Sequence, residues 1–335
     1  MESRTAPDTP GLRSWLPGFL TLAAIWGTSF LFIKVGVREL HPLWLTFGRV
    51  AAGALTLLVI LLLTRDRLPR DPRLWGHLVV VGALGVTFPF TLFGYGEQRV
   101  SSVLAGIWNA ATPLVALPLA ALVFRTEPFT RRRATGIGIG FAGVMVVLGV
   151  WRGVGGTELT GQLMCFGAAM CYAVAIPYQK KFVAGRAGSG VSIAAAQLLM
   201  ALLQLSLAAP LFAGAPPVPS SLSLEVVLCV LALGALGTGL AFVLNFRVIR
   251  LAGASTSASV TYLMPVVATV VGVSVLGEHL RWYQPVGALI VLAGVATSQG
   301  VFSRRKTAIS SNSATASDLP TTVSAASVGR AKGMT

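Results

Sequence analysis

One arginine stands alone in a long apolar stretch. Residues 45–63, LTFGRVAAGALTLLVILLL, contain Arg49 as their single charged side chain. A guanidinium keeps its charge, so inside a membrane it needs a partner, a route to water or an anionic ligand. Arg49 lies roughly 9 Å inside the predicted helix. Three interpretations stay open: the side chain reaches the interface, pairs with Glu97 or Glu39, or contacts an anionic group of a solute.

Polar and aromatic side chains share helix faces in the other apolar stretches. Ala105, Trp108, Asn109 and Thr112 follow the spacing i, i+3, i+4, i+7, which places them on one face. Buried polar groups need partners in a membrane, so such a face meets another helix or an aqueous cavity. We expect the solute-binding residues to be Trp26, Ser29, Arg49, Thr91, Tyr95, Trp108, Asn109, Tyr172, Asn245, Ser259 and Tyr262.

Two prolines lie at matched places in apolar stretches. Pro113 and Pro265 each remove an intrahelical hydrogen bond and predict a kink. The kinks are either gating hinges or permanent bends.

No grouping of side chains typical of an enzyme occurs. The three histidines lie near predicted loop ends, and none is close in sequence to a nucleophile with an orienting carboxylate. The three cysteines fit neither a disulfide framework nor a metal-binding spacing. We expect no catalytic residue, no metal site and no cofactor.

One glycine pattern resembles a nucleotide-binding fingerprint. Gly138, Gly140 and Gly143 have the spacing G-x-G-x-x-G, but that motif requires a preceding strand, and here it falls inside an apolar stretch. Gly136 and Gly140 also form G-x-x-x-G, which lets two helices approach closely in lipid. We therefore predict helix packing at this motif.

The composition is that of a membrane protein. Of 335 residues, 54% are hydrophobic and 11% are charged, against about 25% charged in soluble domains. Apolar runs of about 20 residues are long enough to cross a bilayer as helices. The sequence predicts an all-α polytopic protein with ten spans: 15–36, 43–64, 74–96, 100–124, 133–151, 159–180, 190–212, 224–246, 253–276 and 282–302.

The net charge of +15 is a topology signal. With the N-terminus inside, 20 Lys and Arg residues fall on the inner side and five on the outer side. This bias is typical of cytoplasmic loops and argues against a nucleic-acid partner. We expect both termini to be cytoplasmic in a cell (inner) membrane, with lipid and a small solute as partners. A monomer or weak homo-oligomer is sufficient.

The two halves of the chain resemble each other. Pro113 aligns with Pro265 and Glu127 with Glu278, and Arg49 falls opposite Gln197. Five spans per copy is an odd number, so the second copy must cross in the opposite sense, as in many secondary transporters. A duplication that serves stability alone would leave the same pattern. The expected segments are 1–14, a cytoplasmic start; 15–151 and 152–302, the inverted five-helix repeats; and 303–335, a disordered cytoplasmic tail.

These features together resemble a known family. AAIWGTSFLFIKVG, HPLWLTFGRVAAGAL and the proline-to-glutamate segments 113–127 and 265–278 are similar to the EamA-type family of the drug/metabolite transporter superfamily. The resemblance covers residues 15–302 and implies a ten-helix carrier, often an exporter of amino acids or related metabolites. It implies a cavity lined by helices one, three, four, six, eight and nine. Arg49 occupies the family's arginine position, whereas VFRTEP lacks the glycine usual before Glu127.

The sequence therefore predicts a secondary transporter and not an enzyme. We expect export of small amphipathic metabolites such as amino acids by alternating access. No carboxylate is predicted at mid-membrane, which favours facilitated diffusion or coupling through interfacial residues. Uptake of a sugar-type solute, drug efflux and a non-transporting membrane scaffold are the alternatives.

Overall fold

The computed structural model of this chain describes residues 12–126, 128–152, 156–186 and 188–299. These residues form helices and no strand. The helices are α1 Leu12–Gly36, α2 Pro42–Thr64, α3 Pro72–Glu97, α4 Ser102–Val123, α5 Arg131–Leu148, α6 Gly156–Phe182, α7 Gly190–Ala213, α8 Leu224–Ala252, α9 Thr256–Leu276 and α10 Tyr283–Gln299. Short 3₁₀ turns occur at Val150–Arg152 and Pro219–Ser221.

Eight of these helices are long and apolar enough to cross a membrane. The prediction of an all-α, multi-pass membrane protein is thereby confirmed at this level. The other two predicted spans are also helices, but α5 has 18 residues and opens on three arginines, and α10 has 17 residues. The first helix begins at Leu12, three residues before the predicted start. Residues 1–11, Glu127 and the predicted tail 303–335 lie outside the described residues.

Local sequence explains where the helices begin. His41 and Asp71 precede α2 and α3, and their side chains accept hydrogen bonds from the first-turn amides of Leu43 and Arg73. Proline occupies the first position of both helices, where its missing N–H leaves no bond unmade. Ser101 caps α4 by accepting from the amide of Leu104 at 3.2 Å.

The turns lie alternately at two ends of the bundle. At the Glu97 end, the amide of Ser223 before α8 donates to Glu39 after α1 at 2.9 Å. At the Asp71 end, Arg186 after α6 pairs with Asp71 before α3 at 3.1 Å. Consequently α1 and α6 run in opposite directions. The start of α1 and the end of α10 both lie at the Asp71 end.

Glycines bring α5 and α10 into close antiparallel contact. A Cβ atom on Gly143 would lie 2.6 Å from the Val291 nitrogen, and one on Gly136 would lie 2.6 Å from the Gly294 oxygen. A Cβ on Gly287 would in turn lie 2.9 Å from the Gly143 oxygen. The predicted packing role of this glycine motif is confirmed.

Among the described residues, three helices contain π turns. They are Ala83–Thr87 in α3, Leu119–Val123 at the end of α4 and Ala235–Leu240 in α8. A π turn widens the helix by one residue, and such turns are frequent at functional sites.

Candidate functional site

Small residues bring α8 against α2 at Arg49. A Cβ on Gly234 would lie 2.6 Å from the Arg49 carbonyl oxygen, and one on Gly53 would lie 2.9 Å from the Thr238 side chain. Any larger residue at Gly234 would push the helices apart. This close approach places the π turn of α8, which contains Thr238, beside the arginine side chain.

The Arg49 guanidinium is buried between α3 and α8. The residue is 7% exposed, its Nε donates to Thr238 Oγ1 at 3.0 Å, and its Cζ lies 3.5 Å from the centre of the Phe90 ring. Thr238 Oγ1 donates in turn to the Leu233 carbonyl at 3.1 Å. In the described chain the two terminal nitrogens of Arg49 make no hydrogen bond. The guanidinium is thus anchored through one nitrogen, and its planar fork is left available.

The structure corrects two of the interpretations of Arg49. Its burial shows that the side chain does not reach the interface. Neither expected ion pair is formed: Glu39 accepts from Ser223, and both carboxylate oxygens of Glu97 lack a hydrogen-bond partner in the described residues. Glu97 acts on Arg49 electrostatically, but no salt bridge joins them. The reason is geometric, because Phe90 faces the guanidinium and Glu97 lies seven residues, about 10 Å, farther along α3.

Aromatic rings continue the Arg49 environment across the bundle. Phe93 lies 5.6 Å from Phe30 of α1 and 6.3 Å from Tyr172 of α6, measured between ring centres. Ser29 of α1 is 4% exposed, and its Oγ lies 2.9 Å from where a Cβ on Gly237 of α8 would be. These contacts bring Arg49, Ser29 and Tyr172, all expected site residues, around the π turn of α8 and the aromatic face of α3.

A second group of expected residues lies between α4, α6 and α9. Asn109 is 9% exposed, and its Nδ2 donates to the Met264 sulfur at 3.8 Å. Trp108 is buried against Phe166 at 5.5 Å, and its indole nitrogen has no acceptor in the described residues. The hydroxyl of Tyr262 on α9 is likewise buried without a partner within the described chain.

The remaining expected residues have local partners. Thr91 donates to Thr46 at 3.4 Å, Tyr95 lies 3.3 Å from the His41 imidazole, and Asn245 accepts from Ser257 at 2.5 Å. Ser259 donates to the Thr256 carbonyl at 2.6 Å, and Trp26 packs half-buried against the core.

The two prolines occupy different places in their helices. Pro113 follows a break in α4, where the segment Ser102–Ala110 gives way to Thr112–Pro118. Pro265 lies inside the regular segment Val260–Leu276 of α9, which begins after Ser259. A hinge at either position stays a prediction.

Sequence reasoning missed two partners of Arg49. Thr238 and Phe90 lie 189 and 41 positions away in the chain, and neither residue type stands out in an apolar stretch. The glycines Gly234, Gly237 and Gly239 around Thr238 were the available signal, since such a run in a membrane helix indicates close packing. Among the described residues no three His, Cys, Asp or Glu side chains cluster as a metal site would require.

Comparisons with known proteins agree with this architecture. The model of the EamA-like transporter family matches twice, at residues 13–149 and 159–298. The chain is 24% identical over 291 residues to YoaV of Bacillus subtilis, described as an uncharacterized transporter; the match covers 86% of this chain and 98% of YoaV. It is 27% identical over 302 residues to a probable amino-acid metabolite efflux pump of Salmonella typhimurium, covering 87% of this chain and 97% of that protein. A solved crystal structure with 21% identity and a TM-score of 0.60 covers 88% of this chain and 98% of its own, which supports the fold. The chain belongs to the EamA-like transporter family.

Proposed function

We propose that this transporter exports small amphipathic metabolites of the amino-acid class, and that Arg49 binds their carboxylate. The observation that carries the proposal is the buried guanidinium whose fork has no hydrogen-bond partner in the described chain. Arginine binds carboxylates through two parallel hydrogen bonds, a geometry that its planar fork fits. The Salmonella relative, named as a probable amino-acid metabolite efflux pump, is in keeping with this solute class.

The surroundings of Arg49 favour a solute with an apolar part. Phe90 stacks on the guanidinium, and Phe93 and Tyr172 extend the aromatic surface toward α6. The polar groups nearby, Ser29 and Thr238, are neutral hydrogen-bonding hydroxyls. A carboxylate on Arg49 with an apolar side chain against the rings describes an amphipathic amino acid. Trp108, Asn109 and Tyr262 would line the same path from the other side.

Paired contacts support two inverted five-helix halves. Gly136 aligns with Gly287 and Gly143 with Gly294, and the structure pairs Gly136 with Gly294 and Gly143 with Gly287. This reciprocal exchange, in which residue i meets j′ and j meets i′, is the property of a two-fold axis.

A second reciprocal pair lies at Arg49 itself. Arg49 aligns with Gln197 in the repeat. Along α3 and α8 the two copies are 152 residues apart, so Gly82 aligns with Gly234. A Cβ on Gly234 would lie 2.6 Å from the Arg49 oxygen, and one on Gly82 would lie 3.2 Å from the Gln197 oxygen. The π turns of α3 and α8 begin at Ala83 and Ala235, which are also 152 residues apart. Matched halves of this kind are suited to alternating access, with the bends near Pro113 and Pro265 as hinges.

The proposed carrier crosses the cell membrane ten times, with α5 and α10 as spans in addition to the eight apolar helices. Its N- and C-termini, including the tail 303–335, are cytoplasmic, so the Glu97 end faces outward. The cytoplasmic location of both termini is inferred from the excess of Lys and Arg in the turns at the Asp71 end. One chain holds both halves, so a monomer is the proposed transporting unit.

The test is solute efflux from proteoliposomes loaded with an equimolar mixture of the proteinogenic amino acids, read by mass spectrometry of the medium. Wild-type protein should release a subset faster than protein-free vesicles, with saturation. Arg49→Ala should lose this release, and Arg49→Lys should lose most of it because an ammonium lacks the planar fork. Arg38 is exposed and lies at the Glu97 end of the bundle, so Arg38→Ala is the matched control and should behave as wild type. Equal release by wild type and Arg49→Ala would reject the role of Arg49, and no saturable release of any solute would reject the transport of amino acids.

A further inference from the structure

The carboxyl group of Glu97 is buried at the end of α3 without a partner. The residue is 0% exposed, and neither carboxylate oxygen has a hydrogen-bond partner in the part of the chain that the structure describes. The proposed solute site does not use it, since it lies about 10 Å along the helix from Phe90. The aligned position in the second half, by the shift of 152, is Ile249, so Glu97 has no counterpart there.

The nearby cation bonds to the backbone and not to this carboxyl. Lys34 of α1 donates to two backbone oxygens, those of Glu97 and Val100, at 2.5 and 2.7 Å. The ammonium therefore ties α1 to the turn after α3 instead of pairing with the acid. Lys34 still acts on Glu97 electrostatically, as does Arg49 of α2, which is bound to Thr238.

The remaining ionisable neighbours do not supply a counter-charge. Glu278, from the turn between α9 and α10, accepts from the Ser102 amide and hydroxyl at 2.8 and 2.9 Å at the start of α4. On α6, the helix packed against this end of α3, Cys165 is the ionisable group that interacts with Glu97. The second acid, Glu278, makes it harder to hold a negative charge at Glu97.

Close backbone contact between α3 and α6 seals this position. A Cβ on Gly96 would lie 2.5 Å from the Cys165 sulfur, and one on Gly161 would lie 3.0 Å from the Gly96 oxygen. Glu97 is 0% exposed, so water does not reach its side chain while the helices are in contact. An ionised carboxylate without hydrogen bonds is strongly disfavoured in such a place, whereas the neutral acid is tolerated.

We propose that Glu97 is a proton-binding site that holds the Glu97 end of the transporter closed. A proton from the water at that end forms an O–H bond with the carboxylate as α3 closes on α6. When the helices separate, the proton returns to the same water and the carboxylate is hydrated beside Lys34. No proton crosses the membrane in this cycle. The proposal rests on the alternating access of the proposed function, because it requires the two halves to part at this end.

Cys165 provides a native reporter of the opening. In purified protein in lipid nanodiscs, a small maleimide reaches its thiol only when α6 leaves α3, and peptide mass spectrometry quantifies the label on Cys165 alone. Labelling of wild type then requires two deprotonations. Glu97 must lose its proton for the helices to separate, and the Cys165 thiol must lose its proton to react. Between about pH 5 and pH 7 the rate should rise roughly a hundredfold per pH unit, against about tenfold for free glutathione in the same sample.

Two variants and one control separate the deprotonation of Glu97 from that of the Cys165 thiol. Glu97→Gln resembles the protonated acid permanently, so its rate should rise only about tenfold per pH unit, as for glutathione. Glu97→Asp keeps a titrating acid and should keep the steep dependence. Glu39→Gln changes an exposed carboxylate at the same end and should match wild type.

A wild-type slope equal to that of glutathione overturns the proposal, as does an equally steep slope in Glu97→Gln. If the Glu97 variants do not insert, the wild-type slope against glutathione decides alone. Labelling needs no transported solute, so a failure here is distinct from a failure of the amino-acid flux experiment.

Discussion

The glycine contact between α5 and α10 allows a quantitative prediction. A Cβ on Gly143 would lie 2.6 Å from the Val291 nitrogen and 2.9 Å from the Gly287 oxygen, whereas real Cβ contacts are essentially never below 3.0 Å. Both obstructing atoms belong to the backbone of α10, so no side chain can rotate away. Gly143→Ala must therefore move one helix by at least 0.4 Å, the difference between 3.0 and 2.6 Å.

The expected cost is that of overpacking in a tight interior, about 1–3 kcal/mol. Replacing glycine by alanine in a helix also contributes about 1 kcal/mol of stabilisation. Gly138→Ala, on the same helix, is the matched control, because a Cβ at Gly138 would meet no atom within 4 Å. Subtracting the Gly138→Ala value removes the helix-propensity gain and leaves the steric cost. The measurement is the free energy of unfolding in bicelles by steric trapping.

The reciprocal glycine extends the test. A Cβ on Gly287 would lie 2.6 Å from the Val147 nitrogen and 2.9 Å from the Gly143 oxygen, so Gly287→Ala should cost about as much as Gly143→Ala. The double variant should cost less than the sum, because helices already separated have room for the second methyl group. Equal unfolding free energies for Gly143→Ala and Gly138→Ala would refute the reasoning, and strict additivity would show that the two glycines do not share one contact.

Three further predictions concern the site and the helix ends. Thr238→Val leaves the buried Arg49 Nε without its acceptor, at a cost of about 1–3 kcal/mol, and should lower kcat/KM for efflux roughly five- to hundredfold while Thr56→Val has little effect. Glu278→Ala removes the acceptor for the first amides of α4 and should lower the unfolding free energy by about 0.5–2 kcal/mol; a value equal to that of Glu225→Ala would contradict the capping role. The Arg73 amide, and then Arg186, lower the pKa of Asp71 below its usual value of about 3.9. The stabilisation by this carboxylate is present above that value and is lost as the pH falls through the lowered pKa. The difference in melting temperature between wild type and Asp71→Ala should therefore be present at pH 7 and vanish in strong acid; a difference independent of pH would rule out the charge as its cause.

Local and periodic features carried most of the fold prediction. The length of the apolar runs predicted the helices, and the caps that the structure shows at His41 and Asp71 explain why α2 and α3 begin where they do. The glycine spacing in α5 identified a close helix contact without identifying the partner. The repeat alignment relates positions about 150 residues apart, which local patterns cannot do, and the inverted arrangement it predicts stays a proposal.

The environment of Arg49 was predicted less well, for a physical reason. The sequence points to Glu97 as an acidic partner for Arg49. Whether Arg49 bonds to Glu97 or to Thr238 depends on how closely α8 approaches α2. That distance is set by Gly234 and Gly53 together, across two helices. Sequence shows that a buried charge needs compensation, and only packing shows which group supplies it.

The roles proposed for the two buried charged residues lie at different depths of the carrier. Arg49 is compensated by a hydroxyl and an aromatic face, so its charge is tolerated while its fork stays open to an anion. The carboxylate oxygens of Glu97 have no hydrogen-bond partner in the described residues, and in the proposal above its neutral form marks closure of the end where it lies. Their counterparts, Gln197 and Ile249, carry no charge. In the proposed carrier the two inverted halves therefore share a backbone but differ in chemistry. This asymmetry would let a two-fold scaffold bind a solute and sense the water at one end without doing the same at the other.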